Sequence, residues 1–204
     1  TTEIYTLSLH DALPIYLQVI SSLLKLQSQY IEDEGAIKAI AEGRNRVHSM
    51  ALLHQNLYKD EDITGVNMKE YFTNLIEGLF DAYNINADDV KLITEIQDLT
   101  LDIDTVIPLG LIANELISNT LKHAFSHTAE ATLVVKLSES EDKLLFQVSD
   151  NGKGYDTDII KKENKSFGQK LIKSLSAKLD ADVHVDTSSG TDVTLFIKDY
   201  NKTS

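Results

Sequence analysis

"NELISNTLKHAF", residues 114 to 125, sets amides, a carboxylate, a lysine and a histidine into an otherwise apolar helical pattern. Glu115, Asn119, Lys122 and His123 stand at i, i+4, i+7 and i+8, so they share one stripe of a helix. Leu111, Ile112, Leu116 and Leu121 lie opposite and offer a face for a sheet. Polar groups on a packed helix cost stability unless something partners them. A solvated edge explains a stripe taken alone; a bound ligand explains it equally once other sites converge on it.

Working outward, the helix is expected over about 105–124, with Thr105 as N-cap and Pro108 in the first turn. "VSDNGKGYD" (148–156) follows an apolar strand pattern and places Asp150 at the strand end, with Gly152 and Gly154 at alternate positions. Glycines so spaced let backbone approach a flat ligand, and the carboxylate can accept a hydrogen bond from an exocyclic amine. Alone, Asp-x-Gly-x-Gly is a weak signal, because turns produce it often. "SFGQKLIKSL" (166–175) puts Gly168 at the opening of a helix whose first N–H groups can hold phosphate oxygens. "SSGTDVTLFI" (188–197) is a Gly-Thr turn, with Thr191, running into a strand.

Around these segments the pattern predicts a helix near 68–83 and strands near 90–96, 99–103, 131–137, 143–149, 182–186 and 192–198. A further helix is predicted over 167–179. Helices interleaved with hairpin-joined strands point to an α+β sandwich, with helices on one face of a mixed sheet. Upstream, Leu17, Ile20 and Leu24 recur at helical steps, Gly35 punctuates, and a second periodic segment runs from Ile37 to Leu57. Two such helices form a hairpin (17–58) whose broad apolar face needs a second copy, giving a homodimeric four-helix bundle. Residues 59–66 read as a linker, and 67–200 as the α/β domain. Residues 1–16 show no clean period and are similar to translated sequencing-adapter stretches, so they are set aside as non-native or disordered.

The 204-residue chain carries 19 Lys+Arg against 32 Asp+Glu, a net charge of -13. That balance argues against nucleic acid and anionic membrane as partners, since both require a basic footprint. The absence of cysteine excludes disulfides, thiol catalysis and thiolate metal sites. No apolar run reaches the ~18 residues of a membrane span, so a cytoplasmic fragment is expected, with any anchor outside it.

The four weak signals, in this order and spacing, resemble the N, G1, G2 and Gly-Thr boxes of the ATP-binding fold shared by sensor histidine kinases, DNA gyrase, a heat-shock chaperone family and mismatch-repair ATPases. The match spans about 67–198. "LQVISSLLKLQS" and "RNRVHSMALLHQNLY" resemble the dimerisation helices of a histidine-kinase subfamily whose phosphoacceptor motif reads His-Arg-Val-Lys-Asn-Asn-Leu-Gln. The resemblance implies a two-component enzyme that moves phosphate from ATP to a histidine and then to an aspartate of a response-regulator receiver domain. It implies that Asp150 binds the adenine amino group, with Gly152 and Gly154 shaping the loop and Thr191 at the adenine end. Asn119 is implied as the Mg²⁺ ligand, Lys122 or His123 as the phosphate contact, Gly168 as part of the closing lid, and Glu115 as the base.

The chain departs from this pattern at its start. Counting back from Leu17-Gln18, the acceptor position holds Asp11, followed by Ala12, Pro14, Ile15 and Tyr16 in place of Arg, Lys and two Asn. His10 is one step early, a rotation of ~100° on a helix, and precedes Pro14, where no helix is expected. ATP binding without the usual autophosphorylation is therefore expected. Gln169 stands where leucine is usual and loosens the lid helix. His48 and His54, six apart, read as packing residues and His127 as a solvated loop residue. Lys161, Lys162 and Lys165 read either as solvated charge or as phosphate contacts. The competing functions are a catalytically silent nucleotide-binding dimerisation scaffold and a serine kinase of the anti-sigma-factor type, which lacks the hairpin.

Overall fold

A computed structural model describes residues 9–57, 65–86, 88–125, 128–154 and 167–203. The chain divides into two compact units, residues 1–63 and 64–204.

The first unit is a helical hairpin, α1 (Leu9–Ser28) packed on α2 (Glu34–Leu57). Helix α2 begins where Asp33 accepts hydrogen bonds at its side chain from the Ala36 N–H (2.7 Å) and at its carbonyl from the Ile37 N–H (3.0 Å). Gly35 thus lies in the first turn of α2 and is not the break between helices. Tyr16, Val19, Ile20, Leu23, Leu26, Tyr30 and Ile37 remain exposed on a single copy. The expectation that helix is absent before Pro14 is corrected, because α1 starts at Leu9 and runs through the proline. Pro14 lies in the second turn of the helix, near its end, and extension of an existing helix needs one bond per added residue, not a new nucleus. Residues 9–16 are therefore helical and continuous with the hairpin. The side chains of His48 and His54, and residues Lys161, Lys162, Lys165 and His127, fall outside the described residues.

The second unit contains β1 (Val66–Asn67), α3 (Met68–Ala82), β2 (Lys91–Ile96), β3 (Thr100–Leu101), α4 (Ile103–His123), β4 (Thr132–Ser140), β5 (Lys143–Asp150), α5 (Phe167–Lys178), β6 (Ala181–Asp186) and β7 (Thr191–Ile197). The main sheet has the order β2-β4-β5-β7-β6; β2 and β4 are parallel and every other pair is antiparallel. Burial alternates along its central strands. Leu133, Val135 and Leu137 of β4, Leu144, Phe146 and Val148 of β5, and Val193, Leu195 and Ile197 of β7 are buried on one face. Period-two alternation is what a sheet covered on one side requires. Phe72 of α3 stacks on Phe146 at 5.3 Å between ring centroids, and Leu109, Ile112 and Ile117 of α4 are fully buried. The expected sandwich is present.

Three details differ from the sequence pattern. Val66 and Asn67 pair with Leu101 and Thr100 in a separate two-stranded ribbon, so the end of the expected linker is structured and the expected 99–103 strand shrinks to two residues. The N-cap of α4 is Asp102, which accepts the Thr105 N–H at 2.9 Å; Thr105 lies inside the helix and Pro108 in its second turn. An aspartate three residues before an N–H satisfies one of the orphan donors of the first turn as well as threonine does. Finally, the C-terminal segment returns to this corner. Asp102 donates its N–H to the Asn201 carbonyl (3.0 Å), and Asn201 Nδ2 donates to Asp102 Oδ2 (2.9 Å). The Thr203 N–H donates to Thr100 (3.1 Å), and a Cβ on Gly65 would lie 1.7 Å from Thr203 Oγ1. Tyr200 and Lys202 both hydrogen-bond Glu139 at the end of β4.

Candidate nucleotide-binding site

Asp150 ends the buried series of β5, so the pleat sends its carboxylate inward; it is 7% exposed. A buried carboxylate is tolerated only when hydrogen-bonded. Oδ1 accepts the N–H groups of Gly152 (2.9 Å) and Thr191 (3.2 Å), and Oδ2 accepts the hydroxyl of Thr120 (3.0 Å). A carboxylate offers about four acceptor positions, so these three donors fix its orientation and leave it able to take another.

The loop after Asp150 is seated on the end of α4. A Cβ on Gly152 would come within 2.5 Å of both Cβ and the carbonyl oxygen of Ala124, and the Lys153 N–H donates to that oxygen at 3.1 Å. Gly154 and Gly190 have φ of +70° and +95°, conformations that suit glycine. A Cβ on Gly190 would lie 1.9 Å from the Asp150 carbonyl oxygen, and one on Gly154 3.0 Å from that of Gly190. Backbone lies against backbone here, a glycine-lined cradle beside an oriented carboxylate. These residues fit an adenine ring that offers an exocyclic amine.

Glu115 is 5% exposed. Asn119 Nδ2 faces its Oε1 at 3.4 Å, which turns the Asn119 carbonyl oxygen the other way. A Cβ on Gly168 would lie 1.8 Å from Glu115 Oε1, so the first turn of α5 rests directly on this carboxylate. Lys122 is half-buried, with Nζ 5.5 Å from the centroid of the Tyr83 ring, while His123 is exposed. Among the described residues no group of three or more His, Asp or Glu is placed to hold a metal ion. Mg²⁺, which dehydrates reluctantly, would here take one protein oxygen, that of Asn119, and otherwise phosphate oxygens and water.

The structure thus gathers seven of the nine residues singled out by sequence into two adjoining groups, while Lys122 and His123 lie further along α4 and join neither. Glu115, Asn119 and Gly168 form one; Asp150, Gly152, Gly154 and Thr191 form the other. They meet at the peptide joining Asn119 to Thr120. Thr120 and Tyr83 were not anticipated, and Gly190 entered only as the glycine of the Gly-Thr turn. Thr120 is off the polar stripe, and its only sequence signal is that a strand-end aspartate needs donors. A separate cavity of about 350 Å³ lies at the start of α3, lined by Asn67, Lys69, Glu70, Thr73, Asn74 and Asp98, and involves none of these residues.

Fold and cradle together define a nucleotide-binding α/β sandwich of the ATPase class. Residues 104–201 match the family described as histidine kinase-, DNA gyrase B- and HSP90-like ATPase. Residues 16–83 match the family described as histidine kinase, and the two matches together support a sensor histidine kinase of two-component systems. It is 29% identical over 192 residues to the sensor histidine kinase PdtaS of Mycolicibacterium smegmatis, a match covering 92% of this chain and 38% of that protein. It is 33% identical over 109 residues to the histidine-protein kinase/phosphatase DegS of Bacillus subtilis, covering 53% of this chain and 27% of DegS. The histidine kinase domain of the Erythrobacter litoralis EL346 blue-light activated kinase has the same fold, with a TM-score of 0.69 at 18% identity, covering 89% of this chain and 96% of that one. The chain therefore spans little more than a third of the length of the PdtaS proteins it matches.

Proposed function

We propose that this chain is the dimerisation and catalytic core of an ATP-dependent protein histidine kinase. The observation that carries this reading is the convergence of α4 and the Asp150 loop, joined at 3.0 Å through Thr120. Asp150 selects adenine by accepting its amino hydrogen, and the Gly152, Gly154 and Gly190 backbone admits the flat ring. Lys122 or His123 contacts the phosphate oxygens. A bound Mg²⁺ would neutralise phosphate charge next to Asn119. Glu115 accepts one imidazole proton of the acceptor histidine while the other ring nitrogen bonds to the γ-phosphorus and the bond to ADP breaks. Positioning and charge neutralisation do most of the work, as is general in phosphoryl transfer. The phosphoryl group then passes to an aspartate of a response-regulator receiver domain. The exposed apolar residues of α1 and α2 support a homodimer through the hairpin. No helix among the described residues is long and apolar enough to cross a membrane.

Asp11 favours a second reading, a nucleotide-binding dimerisation scaffold that does not phosphorylate itself. Labelled-phosphate transfer from ATP separates the two. The comparison is between the chain as it stands and a variant carrying Asp11→His, Ala12→Arg, Leu13→Val, Pro14→Lys, Ile15→Asn and Tyr16→Asn. Transfer in the variant, abolished by Glu115→Ala, supports the kinase; nucleotide uptake without transfer in either supports the scaffold.

A further inference from the structure

The acceptor positions of Asp150 decide where a ligand can meet it. A carboxylate offers roughly two such positions on each oxygen. Those of Oδ1 are taken by backbone, the N–H groups of Gly152 (2.9 Å) and Thr191 (3.2 Å). Oδ2 takes the Thr120 hydroxyl at 3.0 Å, so the remaining acceptor position lies on Oδ2, beside Thr120 Oγ1. The polar side chains next in sequence are turned elsewhere. Asn151 accepts the Thr132 N–H and donates to the Glu130 carbonyl, both at 2.7 Å. Asp192 accepts from Gln147 (2.5 Å) and Thr194 (2.9 Å) on the other face of the sheet. Among the described residues, Thr120 is thus the one side chain that joins the two backbone donors in holding this carboxylate.

We propose that Thr120 is a positioning residue that sets the base specificity of the site: its hydroxyl makes the corner that meets the base a pure acceptor, fitted to a 6-amino purine and closed to a 6-oxo purine. The proposal rests on the nucleotide reading above and deepens it. A carboxylate only accepts, and a hydroxyl has a single proton. That proton is engaged on Asp150, which leaves Thr120 Oγ1 with lone pairs alone. A base reaching the remaining position on Oδ2 therefore meets acceptors and no donor. The adenine amino group brings N–H donors to such a corner, whereas a 6-oxo group brings an acceptor against acceptors. Without the hydroxyl, Oδ2 gains a second open position beside a side chain that cannot fill it. Water in that position both donates and accepts, so it can turn to serve a 6-oxo group and offset the mismatch. Threonine replaces that adjustable partner with a fixed polarity. The Gly152 and Thr191 donors are backbone and present whatever the side chain, so position 120 is where the sequence sets this property.

The test is calorimetric binding of Mg·ADP and of Mg·IDP, its 6-oxo counterpart, to the full chain, read as the ratio of the two dissociation constants. The unaltered chain is expected to favour ADP. Thr120→Val, which keeps the shape and removes the hydroxyl, is expected to reduce that preference about ten-fold, the scale of one hydrogen bond to a charged group. Thr120→Ser, which keeps the hydroxyl, is expected to retain it. If Thr120→Val does not fold, Thr120→Ala, the better helix former, takes its place with the same expectation. A purely structural role for Thr120 weakens both nucleotides alike and leaves the ratio where it was. A ratio unchanged by the valine or alanine variant, or lost in the serine variant, overturns the proposal while ADP uptake still supports the nucleotide site. Equal affinity of the unaltered chain for ADP and IDP overturns it as well. No uptake of either nucleotide by the unaltered chain sinks the nucleotide reading itself.

Discussion

The hydroxyl of Thr120 donates to Asp150 Oδ2 at 3.0 Å, across thirty positions of sequence, and ties the central helix to the strand-end carboxylate. Both residues are 7% exposed. Losing the Thr120 donor takes one of three hydrogen bonds from the buried Asp150 carboxylate, and a hydrogen bond to a charged group typically contributes about 1.5–3 kcal/mol. Thr120→Val should therefore destabilise the α/β unit by about that amount and weaken adenosine binding, and Thr120→Ser should restore both. Urea denaturation beside calorimetry gives the two quantities. A Thr120→Val protein with unaltered stability and affinity would show that the bond contributes nothing.

Gly190 gives a sharper steric case. Its φ of +95° and the 1.9 Å separation from the Asp150 carbonyl oxygen leave no room for a methyl group. Gly190→Ala should cost at least ~1–3 kcal/mol from the backbone conformation alone, with nucleotide binding lost as the turn moves off Asp150. Thermal unfolding and adenosine titration should show both effects.

Gly168 tests the other half of the site. A methyl there would meet Glu115 Oε1 at 1.8 Å, and a side-chain end moves more easily than backbone. In the chain with the restored acceptor segment, Gly168→Ala should slow labelled-phosphate transfer by about 10- to 100-fold, the scale of a small misplacement of a reacting group. Mg·ADP affinity should change much less. Equal losses in both would place Gly168 in binding alone.

Asp102 makes an acid-range prediction. Partial burial pushes its carboxyl up, but hydrogen bonds from Thr105 and Asn201 outweigh it and hold the group below its ordinary value of 3.8. A carboxyl lowered in the folded state stabilises fully above its unfolded value and stops doing so as pH falls through the folded one. Stability should thus drop from about pH 5 downward, and Asp102→Ala should flatten that limb while losing about 0.5–2 kcal/mol of N-cap stabilisation at neutral pH. At the alkaline end Tyr200, pushed up to about 12 by burial and then by its bond to Glu139, stabilises below pH 10 and ceases to as pH rises through 12. Tyr200→Phe should remove that alkaline loss. Urea midpoints against pH measure both.

The last prediction concerns position 11. The unaltered chain should take up ATP yet show no acid-labile phosphate, on His10 or elsewhere. Helix α1 includes residue 10, but one helical step still turns a side chain by ~100°. Mass spectrometry under alkaline conditions decides it.

How far the sequence alone leads depends on the range of the interaction concerned. The stripe of Glu115, Asn119 and Lys122 was legible because helical spacing is local, and so were the alternating strands 132–140, 143–150 and 191–197. The convergence of Asp150 with α4 was legible only through the resemblance, since no spacing rule links residues 120 and 150. Thr120 stayed hidden because a threonine beside an asparagine in an apolar helix reads as filler. Asp102 was misread because "LTLDID" suits a strand to its end, and the cap depends on Asn201, ninety-nine positions away. The extension of α1 through Pro14 failed a local rule that holds for helix interiors and bends near their ends.

Gly65 and Thr203 touch, so the chain enters and leaves the α/β unit at one corner. At 1.5 Å per residue, Thr120 is roughly 27 Å along α4 from that corner. Tension applied between the two ends would be borne by the short ribbon of β1 and β3 and by the Asp102–Asn201 clasp, and would unzip that corner before it strained the adenine cradle. Tethers or fluorophores attached there should leave nucleotide uptake undisturbed, and the unit should survive having its old ends joined and new ones opened elsewhere.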